Sequence, residues 1–255
     1  MTSILVTGGT GTLGRPTVTH LLAAGHNVRV LSRQTGPDRA SGDQLTEPDW
    51  VTGDLLTGAG LTAAVDGADV IVHLATSLGR RDIQHARNLL AALPGTTHLV
   101  VMSIVGIDQI PVSYYRHKLA VEHLVADAGV PYTIQRATQF HNLIDRIFTV
   151  QRFLPALVAP AVPVQPIAVD DVAVRLTELV DHPPVNGRAP DIGGPEQSPL
   201  PDLARAWRTA RPSRRPVAPL RLPGKIFRAY ASGSALVDGT PYGHITFEDY
   251  LGAKS

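Results

Sequence analysis

The chain contains no cysteine. Disulfides, thiolate catalysis and zinc–cysteine sites are therefore excluded. Its ten histidines form no HExxH and no tight cluster with carboxylates, so no metal site is expected. Neither sign of charge is in excess: 23 Lys and Arg stand against 22 Asp and Glu, a net charge of +1. That balance gives no reason to expect a polyanion, so no nucleic-acid partner is anticipated. No uninterrupted apolar run approaches the ~18 residues of a membrane span. The first apolar run opens at Ser3, so a secretory leader is not expected and the cytoplasm is the expected location. Internal repeats and heptads are absent too, which leaves the oligomeric state open.

What the chain has is a globular composition, 44% hydrophobic and 18% charged over 255 residues. That length can bury one full core, or a core with a small lobe. The most informative stretch is Ser3-Ile4-Leu5-Val6-Thr7-Gly8-Gly9-Thr10-Gly11-Thr12-Leu13-Gly14. A short apolar run feeds into glycines at three-residue spacing, and an amphipathic stretch follows. A strand, a phosphate-binding turn and a helix require that order. Gly8 permits a tight turn off the strand. Gly11 lets a pyrophosphate approach the backbone. Gly14 lets the helix pack closely on the strand. The N–H groups and positive dipole end of the helix then meet the phosphates. Thr10, Thr12 and Leu13 belong to the same turn. An ordinary glycine-rich turn is the competing reading, and the context favours a nucleotide site.

Further apolar runs predict strands at Asn27–Leu31, Trp50-Val51, Asp69–Leu74, His98–Met102 and Val130–Ile134. Helical patterns lie between them, at Leu13–Ala24, Leu61–Val65, Ile83–Leu93 and Tyr114–Ala128. Such alternation argues for an α/β fold with a doubly wound parallel sheet and right-handed crossovers. Residues 1–150 read as a dinucleotide-binding core. Residues 151–255 read mainly as a substrate lobe that returns in part to the core, the whole being one compact unit. Pro155, Pro160, Pro163 and Pro166 rule out a long helix in this part. A helix is expected over Asp170–Val180 with Asp170 as N-cap, and a short strand over Ala189–Ile192. Helices are also expected over Leu200–Ala210 and Ile245–Ala253. Arg211–Pro223 reads as a loop.

The residue after the second strand separates NAD from NADP, because an acidic side chain there accepts from a free ribose 2′-OH and repels a 2′-phosphate. This chain has Ser32-Arg33 instead. A hydroxyl beside a guanidinium suits a phosphate monoester, so NADP(H) is preferred over NAD(H). Arg15 can reach the same phosphate or remain a solvated charge, and both readings stand. Asp54-Leu55 follows the third strand. The aspartate can accept from an adenine amino group while the leucine packs beside the ring; a turn aspartate after Gly53 is the alternative. Leu74-Ala75-Thr76 follows the fourth strand, where small residues let the backbone approach the dinucleotide.

Met102-Ser103 ends the fifth predicted strand, and Tyr114-Tyr115-Arg116-His117-Lys118 begins eleven residues later. Tyr114 and Lys118 are four apart and share one helical face. A nearby ammonium stabilises a phenolate and lowers the phenol's pKa from its usual ~10. The phenol can then exchange a proton with a carbonyl or hydroxyl near neutral pH. Ser103 can hold the same substrate oxygen, and Lys118 can reach the nicotinamide ribose. Tyr115 reads as packing or a pocket wall.

With these residues the chain resembles the atypical short-chain dehydrogenase/reductases of the NmrA-like, NAD(P)H-binding group. The similar segments are Val6–Gly14, Ser32-Arg33, Gly53-Asp54-Leu55, Met102–Gly106, Tyr114–Lys118, Arg136–His141 and Gln165–Ala173. The resemblance runs through most of residues 1–195. It implies a Rossmann fold with a small C-terminal substrate lobe. It also implies cofactor binding by Gly8, Gly11, Gly14, Arg33 and Asp54, and active-site positions at Ser103, Tyr114 and Lys118. The wider superfamily carries Asn-Ala-Gly after the fourth strand, where this chain has Leu74-Ala75-Thr76.

Phe140, His141 and Asn142 follow the sixth strand, where a loop is expected to face the nicotinamide. His141 there supplies a hydrogen bond or proton, or is a buried histidine satisfied by backbone. Leu78-Gly79-Arg80-Arg81 past the fourth strand could line the site, but Arg80 and Arg81 read better as solvated charges capping or flanking a helix. Arg205, Arg208, Arg211, Arg214 and Arg215 read as a solvated basic face, ahead of a lid or a surface for an acidic partner. The expected function is an NADP(H)-dependent oxidoreductase. It would reduce a carbonyl or activated double bond of a small apolar molecule, with Tyr114 as general acid. A cofactor-sensing regulator without turnover is the alternative, and an epimerase, isomerase or dehydratase with a tightly held cofactor is a second.

Overall fold

The N-terminal apolar run forms strand β1 (Ser3–Thr7), with Ile4, Leu5 and Val6 fully buried. In chain order α1 (Gly14–Ala23), β2 (Asn27–Ser32), β3 (Asp49–Thr52), α2 (Leu61–Val65), β4 (Val70–His73), α3 (Arg81–Ala92), β5 (His98–Ile104), α4 (Ser113–Ala126) and β6 (Tyr132–Ala137) follow. Next come α5 (His141–Thr149), β7 (Leu157–Pro160), β8 (Pro163–Val164), α6 (Val169–Asp181), β9 (Gly187–Arg188) and β10 (Ser198–Pro199). The chain ends with α7 (Leu200–Thr209), β11 (Val217–Leu220), α8 (Lys225–Ala231) and α9 (Phe247–Gly252). The computed structural model describes residues 1–34, 47–211 and 213–254.

Seven strands form one sheet in the order β3-β2-β1-β4-β5-β6-β9. Its pairings β1–β2, β1–β4, β2–β3, β4–β5 and β6–β9 are parallel. The fold is thus a doubly wound α/β sheet of Rossmann type. The chain winds outward from β1 to β3 and returns to place β4 beside β1, with Thr7 opposite His73 in register. Strand order reverses there, and ligands of such sheets bind beyond the carboxyl ends of the strands at that point.

The chain divides into two units. Met1–Ser103, Ser113–Gln135 and Ala173–Pro190 make the first, and Ile104–Val112, Arg136–Val172 and Asp191–Ser255 the second. The first unit buries Leu5, Leu61, Ile71, Leu89, Leu99, Val121 and Ile134 in one cluster. The second has a cluster of its own, with Phe148, Leu157, Leu200, Trp207, Phe247 and Leu251 among its members. Among the described residues no helix is long and apolar enough to cross a membrane.

The structure corrects several local expectations. β5 continues through Ser103 to Ile104, so the serine lies inside the strand end. Asp170 is not an N-cap: α6 starts at Val169, and Asp170 and Asp171 sit in its first turn, where carboxylates suit the helix dipole. The strand expected over Ala189–Ile192 reduces to Gly187–Arg188 plus a single bridge from Ile192 to Ala137, since Pro190 has no N–H to donate. Within Arg211–Pro223, where residue 212 lies outside the described residues, β11 pairs in parallel with β7. Pro219 is tolerated there because the ribbon has only two strands. Of the arginines read as a solvated face, Arg211 binds Asp145 and Arg215 binds the Gln151 carbonyl. Arg80 and Arg81 are exposed at the start of α3, as expected.

Candidate active site

The glycine turn belongs to the first unit, at the carboxyl end of β1. Gly8 has φ +74°, and a Cβ there would lie 2.7 Å from the Ala75 amide nitrogen. Only glycine lets the backbone after β4 approach this turn so closely. The Gly11 N–H closes the turn on the Gly8 carbonyl at 2.9 Å. A Cβ on Gly14 would overlap that same carbonyl oxygen, so Gly14 packs α1 against the turn itself and not against the strand. Thr10, Gly11 and Thr12 are exposed, whereas Leu13 is buried. The turn thus offers an open backbone surface at a helix start, which fits a pyrophosphate. Arg15 folds back to donate to the Thr10 carbonyl at 3.0 Å, which holds its guanidinium over the turn.

Ser32 ends β2 and accepts from the Gln34 N–H at 3.1 Å, and Arg33 beside it is exposed. Asp54 accepts the Leu56 N–H at 2.8 Å, so one carboxylate oxygen serves the turn. Leu55 is 8% exposed and belongs to the first unit's core. This corrects its expected place beside an adenine ring, because the core already covers it; the exposed leucine of the turn is Leu56. Leu74 and Ala75 are half-buried and Thr76 is exposed.

Ser103, Tyr114 and Lys118 all lie in the first unit. Ser103 is 3% exposed, and its hydroxyl has no hydrogen-bond partner among the described residues. A buried hydroxyl left this way costs free energy that a bound ligand oxygen would recover. Tyr115 is buried and meets Tyr114 edge-on, as expected of a packing residue. Lys118 is also buried, and its ammonium donates to the Met102 carbonyl at 2.7 Å. Burial lowers its pKa, opposed by the charges of Asp82 and Glu122.

The Tyr114 phenol does not behave as the spacing predicted. Its hydroxyl lies 3.2 Å from Thr76 Oγ1. Burial raises its pKa above the usual value; a bond donated by Thr76 would act the other way, and the Asp82 charge reinforces the rise. The ammonium expected to lower it is turned to the β5 carbonyl. Tyr114 is therefore a phenol that stays protonated, which suits an acid and not a base.

Asp82 and His73 went unnoticed in the sequence. Asp82 is 2% exposed in the first turn of α3 and accepts from Thr76 Oγ1 at 2.6 Å, the Ser77 N–H at 2.5 Å and Ser77 Oγ at 2.6 Å. A Thr-Ser pair shortly before an aspartate at a helix start is the one signal that could have found it. His73 ends β4, and its Nδ1 lies 2.8 Å from Thr7 Oγ1. Burial, followed by the Lys118 charge, brings its pKa down to about 3, so it is a neutral imidazole.

Phe140, His141 and Asn142 lie in the second unit, and the connection after β6 is only Thr138, Gln139 and Phe140: Phe140 is the N-cap position of α5, which begins at His141. His141 is 1% exposed and its Nε2 donates to the Ile245 carbonyl at 3.0 Å. Burial lowers its pKa, against the Ile245 bond and the charges of Asp171 and Asp249. It is a neutral core histidine tied to backbone, so the proton-supplying reading is corrected. Asn142 Oδ1 and both amide atoms of Gln139 are buried without partners among the described residues. The sequence reading had not singled out Gln139.

The profile of a family described as NAD(P)H-binding matches residues 8–183. The chain belongs to this NAD(P)H-binding family. The match spans the glycine turn, Thr76, Ser103, Tyr114 and Lys118, in keeping with the resemblance read from the sequence. A (4-alkanoyl-5-oxo-2,5-dihydrofuran-3-yl)methyl phosphate reductase of Streptomyces griseus is 32% identical over 201 residues, covering 76% of this chain and 68% of that protein. An uncharacterized protein of Mycobacterium tuberculosis is 31% identical over 200 residues, 73% of this chain. The match spans only 22% of that longer protein. The structure of an NADPH-dependent quinone oxidoreductase from Escherichia coli in complex with NADPH superposes with a TM-score of 0.80. It covers 98% of this chain and 99% of that one at 17% identity, a likeness of fold.

Proposed function

We propose that this NAD(P)H-binding protein is an oxidoreductase that prefers NADP(H) and reduces a carbonyl or activated double bond of a small apolar molecule. The observation that carries this reading is the buried hydroxyl of Ser103, without a hydrogen-bond partner among the described residues, in the same unit as the Tyr114 phenol and the glycine turn. The backbone of Gly8 to Gly14 would hold the pyrophosphate, and Arg33, with no acidic residue beside it after β2, the 2′-phosphate. When bound, NADPH supplies a hydride. Ser103 holds the substrate oxygen, and Tyr114 gives it the proton that completes the two-electron reduction. The resulting phenolate recovers its proton from solvent. Lys118 braces α4 against β5 through the Met102 carbonyl, which fixes the height of Tyr114 above the strand ends. The reductase among the relatives and the quinone oxidoreductase among similar folds support a reduction.

Tyr114→Phe tests the reading. NADPH binding, followed by fluorescence titration, should persist. Turnover with a panel of quinones and enones should fall about 10²–10⁴-fold. Unchanged turnover removes the phenol from the mechanism.

A further inference from the structure

Tyr114, Thr76 and Asp82 form a continuous chain in the first unit. Tyr114 Oη lies 3.2 Å from Thr76 Oγ1, which lies 2.6 Å from Asp82 Oδ2. Asp82 Oδ1 accepts the N–H and the hydroxyl of Ser77 at 2.5 and 2.6 Å. Burial disfavours the Asp82 charge, but these bonds and the Lys118 charge outweigh it and hold the carboxyl below its ordinary value. An ionised carboxylate only accepts. Thr76 has a single hydroxyl proton, and the shorter, charge-assisted bond to Asp82 claims it. Thr76 therefore accepts, and the Tyr114 O–H must donate.

We propose that Asp82, acting through Thr76, is the positioning residue for Tyr114: it orients the phenol and keeps the proton on it until a substrate oxygen replaces Thr76 as the acceptor of that proton. The inference rests on Tyr114 being the acid assigned above. The direction of the bond favours the neutral phenol, and the nearby carboxylate opposes a phenolate. Lys118 from α4, His73 from β4 and His85 from the same helix as Asp82 also face this carboxylate. His73 and His85 are both held below their ordinary pKa, so neither carries charge in the alkaline range. Lys118 can titrate there, so the phenol must be read directly.

The experiment is ¹³Cζ-tyrosine NMR on the full chain, with the Tyr114 signal assigned by its loss in Tyr114→Phe. Asp82→Asn should lower the Tyr114 titration midpoint by about one pH unit, the size expected for losing a neighbouring like charge. Thr76→Val, an isosteric change at an exposed position, should lower it as well, and Thr76→Ser should restore the wild-type midpoint. The Thr76 variants keep the test decisive if Asp82→Asn disturbs the Ser77 turn. In NADPH-dependent reduction of 1,4-benzoquinone, the alkaline limb of kcat should move to lower pH with the NMR midpoint. A wild-type midpoint in both Asp82→Asn and Thr76→Val overturns the proposal. Full turnover in Tyr114→Phe would instead overturn the acid role, while the NMR midpoints still judge the positioning by Asp82.

Discussion

Asp82 in the first unit and Asp145 in the second are both buried carboxylates among several donors, and the two are assembled in opposite ways. Asp82, in the first unit, takes its donors from residues only five and six positions away. Asp145, 8% exposed in the second, accepts from Trp207 at 2.8 Å, Arg211 at 3.3 Å, Tyr250 at 3.1 Å and Lys254 at 3.2 Å. Those partners lie 62, 66, 105 and 109 positions along the chain. In both cases burial opposes ionisation and the donated bonds outweigh it, so each carboxyl is held below its ordinary value. The first arrangement is a local turn that places groups at a strand end. The second ties α5, α7 and α9 together and leaves no lone pair for a ligand. The lesson is that a locally built carboxylate can serve a site, whereas one assembled from distant helices serves the fold of its unit.

Substitutions can break or sharpen this contrast. The largest effect is expected at the backbone of the first unit. Gly14→Ala should remove NADPH binding and cost about 3 kcal/mol, at the upper end of overpacking, because the new Cβ overlaps the Gly8 carbonyl. Thermal denaturation with and without NADPH measures both, and retained binding would show that the turn is looser than described. Asp145→Ala should cost about 2 kcal/mol, since it leaves the buried Trp207 N–H unpaired. Arg211 and Lys254 are partly exposed and regain water, so they add little. The folded pKa of Asp145 is depressed. Its contribution is therefore complete above the usual carboxylate range and lost as pH falls through the lower folded value. Urea melts of wild type and variant should converge in acid; a constant gap would deny the charge its role.

Smaller effects follow. Thr246 caps α9 by accepting the Asp249 N–H at 3.1 Å while the Asp249 carboxylate accepts the Thr246 N–H at 3.1 Å. Thr246→Ala should lower stability by about 1 kcal/mol in urea titration. Ser103→Ala should be close to neutral, about 0–1 kcal/mol stabilising, because it removes a buried hydroxyl that has no partner among the described residues. Turnover should nevertheless fall. A clear loss of stability in Ser103→Ala would mean that the hydroxyl is satisfied within the fold, and its assignment to substrate would fail.

Much of the first unit was legible in the sequence, for physical reasons. Its strands are buried runs and its helices amphipathic, so period and length separate them. Gly8 and Gly14 were readable because the need for a bare backbone is written in the residue type. The direction of the Tyr114 pKa was not readable. Four-residue spacing puts Lys118 on the same helical face, but spacing does not say that the ammonium will turn to the Met102 carbonyl. The second unit was harder. Its strands β8 and β10 have two residues each, and the chain pairs β7 with β11 about 60 positions apart; neither leaves a periodic trace. His141 reads the same whether it faces a ligand or the Ile245 carbonyl, because only the position of α9's leading segment decides between them.

Sequence alone determined the alternation of elements, the glycine turn and the presence of a serine, a tyrosine and a lysine downstream of it. These depend on residue type and short spacing, which local backbone geometry converts directly into shape. Tertiary structure decided which groups face one another: Tyr114 toward Thr76 and Asp82, Lys118 toward the strand, Leu55 into the core, Asp145 toward α7 and α9. Proton positions and pKa directions follow from those neighbours, and neighbours distant in sequence are fixed only when the chain has packed.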